Sequence, residues 1–154
     1  MREETMNDEN LVRIDRMRYT KNKLSSTMAY IAIIADVLYF INVYQSDVKY
    51  LNTGDFYYHI IIGASVICNL LFLLATFLCE EGVKNYKDVY AWGMLGLAIV
   101  QIVRIFVLPA KAVAAGVMPS GQHVYLVAML ILSAVSLVVG AIVSIIRGRE
   151  LSIY

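Results

Sequence analysis

The chain has 154 residues, of which 60% are hydrophobic and only 16% charged, and its net charge is +1. A soluble domain carries about 25% charged residues, so this balance excludes an ordinary globular domain. The near-neutral charge, with no basic cluster interleaved with aromatics, speaks against nucleic acid as a partner. The apolar residues gather into four runs, each near the ~20 residues that cross a bilayer as a helix. The expected fold is therefore all-α, a polytopic membrane protein built as a four-transmembrane-helix bundle.

Residues 1–23 form a charged N-terminal tail, with Glu3, Glu4, Asp8, Glu9 and Asp15 against Arg2, Arg13, Arg16, Arg18, Lys21 and Lys23. Leu11, Ile14 and Met17 recur at every third position, which fits a short surface helix capped by Asn7 or Asp8. Three apolar residues fit an irregular tail with a basic anchor equally well. The mixed charge ahead of the first apolar run, and the lack of a small-residue cleavage site, argue against a cleaved signal peptide.

The first span covers 24–43 and holds Asp36. Residues 44–58 read as a loop with a turn at Asn52-Thr53-Gly54. The second span, 59–79, has Asn69 near its centre. Residues 80–89, with Glu80, Glu81, Lys84, Lys87 and Asp88, read as a tight charged connection between antiparallel spans. The third span, 90–108, carries Gln101 and Arg104 and is closed by Pro109. A less polar loop, 109–122, with its turn at Pro119-Ser120-Gly121, leads to the fourth span, 123–146. Residues 147–154 form a short C-terminal tail. Spans 24–146 thus make one bundle, with no room for a separate soluble domain.

Orientation follows from Lys and Arg. The two tails and the connection between spans two and three hold ten of them, and the two opposite loops hold only Lys49 and Lys111. Both termini are expected on the cytoplasmic side, and the expected location is a bacterial cell membrane. Tyr57, Tyr58 and Tyr125 then belong to an outer aromatic belt, and Tyr86, Tyr90 and Trp92 to an inner one.

Arg104 is the only basic residue inside an apolar run, and a charge there needs a partner or a route to water. At about 1.5 Å per residue, Asp36 and Arg104 fall at similar depth in the outer half of spans one and three. The sequence reading pairs them across the bundle, with the other spans packed around the third. Two plainer readings compete: Arg104 snorkels to the headgroups, and Asp36 is protonated. Helical spacing supplies each span with one small or polar face. These faces are Ser25, Ala29, Ala32, Asp36 and Tyr39; Ser65, Asn69, Phe72 and Thr76; Gly93, Leu97, Gln101, Arg104 and Leu108; and Ser133, Ser136, Gly140 and Ser144. The interior of a bundle explains all four faces, and a substrate path would need more polar material.

Little else suggests chemistry. Cys68 and Cys79 lie too far apart along one helix to bridge. His59 and His123 lack a third ligand, so no metal is expected, and no catalytic motif or cofactor signature is present. The sequence therefore points to a non-enzymatic accessory or assembly subunit of a larger membrane transport complex, with the lipid bilayer and other membrane subunits or further copies of itself as partners. The alternative is a small homo-oligomeric transporter, coupled to protons or cations through Asp36, with Asn69, Gln101 and Arg104 shaping the site. A membrane enzyme acting on lipid or quinone is the reading least supported by these residues.

Overall fold

The computed structural model describes residues 22–50, 56–114 and 120–152, together with Val12. Four helices occupy them: α1, Lys23–Tyr50; α2, Phe56–Lys84; α3, Asp88–Ala114; and α4, Ser120–Ser152. All four contain a stretch long and apolar enough to cross a membrane, so the described residues form an all-helical arrangement with four candidate membrane spans. The surface helix expected around Leu11, Ile14 and Met17, and the turn at Asn52-Thr53-Gly54, lie outside the described residues.

The helices overrun the apolar stretches, and three loop expectations are corrected. Helix α1 continues past position 43 to Tyr50, because residues 44–50 contain no glycine or proline to stop it. Helix α3 continues through Pro109 to Ala114. A proline removes one backbone hydrogen bond, and the alanines that follow it are strong helix formers. Helix α4 begins at Ser120, within the expected turn, and extends to Ser152 through the expected C-terminal tail.

The connection at 80–89 is tighter than its charge suggested. Helix α2 runs to Lys84, and the chain reverses over Asn85, Tyr86 and Lys87 before α3 begins at Asp88. Tyr86 takes a left-handed backbone with φ of 56°. Its amide donates to Val83 O at 3.1 Å, and the Lys87 amide donates to Gly82 O at 3.2 Å. This pair of bonds is the Schellman closure, which satisfies carbonyls that the helix end would otherwise leave bare. At the other end of the same region, Asn22 caps α1, with its side-chain oxygen accepting from the Ser25 amide at 3.4 Å.

In space the helices form a ring, with α1 between α2 and α4, and α3 between α4 and α2. The α3–α4 and α1–α4 contacts are the most extensive, and α2–α3 the least. The bundle therefore packs around α4 and not, as the sequence suggested, around the third span. Of the apolar stretch of α4, 44% is buried, against 22% for α3. Small residues account for the difference, since Ser133, Ala134, Ser136, Gly140, Ala141 and Ser144 are all buried and let two neighbours approach closely. A Cβ at Gly140 would lie 3.2 Å from Met28 Cβ and 3.3 Å from Ser25 O, which shows how near α1 comes.

The core falls into two apolar layers. The larger comprises Ala29, Ala32, Phe72, Cys79, Val83, Ala91, Met94, Ala98, Leu137 and Ala141. The smaller is Tyr39, Leu126 and Leu130, with Val43, Ile105 and Met129 against them. Along α1, α3 and α4 the positions between these layers are Asp36, Gln101 and Ser133.

The hairpin joining α2 and α3 offers a direct test. A Cβ at Gly82 would stand 2.0 Å from Tyr90 Cγ, near the ring's root, where the side chain has little freedom to move. Gly82→Ala is expected to cost about 1–3 kcal/mol, read as a lowered midpoint of denaturant unfolding in detergent micelles. An unchanged midpoint would show that the hairpin is packed more loosely than this.

Candidate functional site

Each helix contributes to one buried polar layer: Asp36 from α1, Asn69 from α2, Gln101 and Arg104 from α3, and Ser133 from α4. Asp36, Asn69, Gln101 and Ser133 are all buried, with Gln101 and Ser133 wholly inaccessible. They converge because each lies on the inward stripe of its helix, level with the others between the two apolar layers.

The hydrogen bonds run in one direction through Gln101. Its side-chain nitrogen donates to Asp36 Oδ1 and to Ser133 Oγ at 2.9 Å. Ser133 Oγ in turn donates to Asp36 Oδ2 at 3.1 Å. On the other side, Gln101 Oε1 accepts from an Arg104 terminal nitrogen at 3.0 Å. Arg104's second terminal nitrogen donates to Asn69 Oδ1, and Asn69 Nδ2 donates to Ser65 O at 2.9 Å. The orientation of the Gln101 amide follows from its neighbours: a guanidinium only donates and a carboxylate only accepts. Its oxygen must face Arg104 and its nitrogen must face Asp36.

This arrangement modifies the expected clasp. Asp36 and Arg104 belong to one network, yet no ion pair joins them directly among the described residues, and Gln101 stands between them. The reason lies in the ring, where α1 and α3 sit on opposite sides of the bundle, so a glutamine reaching across the centre spans the gap. Nor does Arg104 snorkel outward. Its guanidinium lies 4.9 Å from the centre of the Tyr39 ring and 5.3 Å from that of Phe72, so two aromatic faces flank the charge as it turns inward.

Chemically, the layer is closed around Asp36, Gln101 and Ser133, while Arg104 at its edge is half-buried. Both Asp36 oxygens and both ends of the Gln101 amide have protein partners, and apolar layers lie above and below. Such a network fixes register between helices, because each member left alone would be a buried polar group without compensation. The cysteines are free, Cys68 exposed and Cys79 buried. Among the described residues, no three His, Cys, Asp or Glu side chains gather to hold a metal. The His59 side chain lies outside the described residues, so its approach to His123 does too.

Sequence reasoning missed two buried polar groups. Asn22 fell within the expected charged tail, yet it is buried. Glu80 was assigned to a charged connection, but it is fully buried, and Ser26 Oγ donates to its Oε1. The signal was present in the spacing. Continuing the inward stripe Ser65, Asn69, Phe72 and Thr76 by four residues lands on Glu80. Its neighbour Glu81 points outward and pairs with Lys84 at 2.9 Å.

The chain matches no family model, no curated protein and no solved structure.

Gln101→Leu keeps most of the side-chain volume but strands Asp36 from Arg104. It is expected to cost about 3 kcal/mol or more, whereas Ser133→Ala, which leaves Gln101 on Asp36, costs about 1 kcal/mol. Unfolding titrations of the two variants in the same micelles check the order. Equal losses would show that Gln101 is one contact among several and not the link.

Proposed function

We propose that the chain is a non-enzymatic integral membrane subunit, an accessory or assembly component of a larger transport complex, residing in a bacterial cell membrane with both termini cytoplasmic. The observation that supports this is the closed polar layer. Asp36, Gln101 and Ser133 are engaged with one another and lie between apolar layers, which suits a rigid scaffold better than a substrate path. Only 28% and 22% of the apolar stretches of α2 and α3 are buried, so these two helices offer the broadest outward faces. Trp92, Gly96, Ile99 and Val103 recur along the outer side of α3, and we assign the partner subunit to that face.

The alternative is a homo-oligomeric proton- or cation-coupled transporter using Asp36. It requires the Asp36 carboxyl to exchange a proton or cation during a cycle. Hydrogen bonds from Gln101 and Ser133 to its two oxygens weigh against that.

A photo-crosslinking residue placed at Ile99 tests the subunit reading in native membranes. The expected result is a cross-link to one different membrane protein in stoichiometric yield, absent when the same residue replaces Leu132 on α4. Recovery of the chain alone, joined with proton uptake by reconstituted protein that is lost in a folded Asp36→Asn variant, would overturn the proposal in favour of the transporter.

A further inference from the structure

The second buried polar cluster lies where α1 begins, α2 ends and α4 nears its end. Asn22, Glu80 and Ser144 are each wholly inaccessible. Asn22 Nδ2, Glu80 Oε2 and Ser144 Oγ nevertheless have no hydrogen-bond partner in the protein. Buried groups of this kind are normally satisfied by protein, ordered water or an ion. Three of them toward one end of the bundle mark a place for a guest.

Shared partners bring the start of α1 against the ends of both α2 and α4. Ser26, one turn after Asn22, donates to Glu80 Oε1, and the Asn22 amide donates to Lys84 O at 3.1 Å, one turn beyond Glu80. Asn22 therefore stands over the last turn of α2. On the opposite side, Ser25 Oγ donates to Gly140 O at 2.7 Å, and Arg147 donates to Asn22 Oδ1 at 3.2 Å. Ser144 lies between Gly140 and Arg147 on the same stripe of α4, four residues after one and three before the other, and so faces Asn22.

The chemistry of the three atoms selects the guest. Glu80 Oε2 can only accept when ionised, Asn22 Nδ2 can only donate, and Ser144 Oγ can do either. A metal cation suits the carboxylate and the hydroxyl but not the amide hydrogens. It would also meet Lys84 Nζ, which stands 3.9 Å from Glu80 Oε1, and the Arg147 guanidinium on Asn22. An anion suits the amide but faces the carboxylate. Water both donates and accepts, and it needs two to four polar partners to occupy a buried site.

We propose that Asn22, Glu80 and Ser144 form a buried water-binding site at the end of the bundle that carries Lys84 and Arg147. The site hydrates a carboxyl that the protein itself holds by only one oxygen. It differs in kind from the Asp36 layer, where glutamine and serine take the place that water takes here. The inference does not depend on the subunit reading, since it concerns the inside of this chain alone.

The sign of one substitution tests it. In the full chain, Ser144→Ala removes a ligand of the bound water and is expected to lower the thermal unfolding midpoint in detergent by a few degrees. At a dry site the same change deletes an unsatisfied hydroxyl, and an unchanged or raised midpoint would overturn the proposal. Magnetisation transfer from water to the Asn22 side-chain amide, measured by NMR on the wild-type chain, supplies a readout that simple loss of packing would not give. A transfer peak is expected, and its absence in a folded sample would also overturn the proposal. A midpoint raised by sodium in the wild type, but not in Glu80→Gln, would overturn it in favour of a cation site.

Discussion

The bundle depends on a carboxamide placed between opposite charges. A carboxylate on α1 and a guanidinium on α3 would each be costly in an apolar interior, roughly 2.5–3.5 kcal/mol at the centre of a membrane helix on insertion scales. Gln101 joins them by offering hydrogens to one and an oxygen to the other. Individual hydrogen bonds between membrane helices contribute little, averaging about 0.6 kcal/mol. The importance of this network lies in what its removal would expose. That asymmetry explains why one residue with no net charge links two helices that sit diagonally in the ring.

The arrangement of small and large residues follows from the same layer. Ser133 reaches Asp36 only because α4 approaches α1 closely, and that approach rests on the alanines of α1 and the small stripe of α4. Helices α2 and α3 keep their bulky residues outward, and their mutual contact is the slightest in the ring. Arg104 helps to close that weak seam, bonding Asn69 on α2 and lying beside Phe72. A charged residue in an apolar helix thus acts here as a fastener between the two helices least able to hold each other by packing.

Much of this was legible in the sequence, and the parts that were not have physical reasons. Run length and spacing marked the four helices and their inward stripes, and Asp36, Asn69, Gln101, Arg104 and Ser133 all stood on those stripes. Depth along the helix axis brought Asp36 and Arg104 to one level. Periodicity says which face turns inward but not which neighbour it meets, so the diagonal placement of α1 and α3, and with it the bridging role of Gln101, lay beyond it. The helix ends were misjudged because the apolar boundary was taken for the helical one. Hydrogen bonding continues past it wherever no residue interrupts, as at Tyr44–Tyr50. Glu80 was missed for the related reason that a charged residue at the edge of an apolar run looks solvated, even when its helical position turns it inward.

The most direct test of this account is a distance measurement on the protein in lipid bilayers. Solid-state NMR dephasing can report contacts from the 15N-labelled guanidinium of Arg104 to the 13C-labelled side-chain carbonyl of Gln101 and, separately, to the carboxyl carbon of Asp36. The account predicts strong dephasing by Gln101, as its 3.0 Å hydrogen bond requires, and much weaker dephasing by Asp36. Equal or stronger dephasing by Asp36 would mean that the two charges pair directly, and would contradict the bridging role given to Gln101.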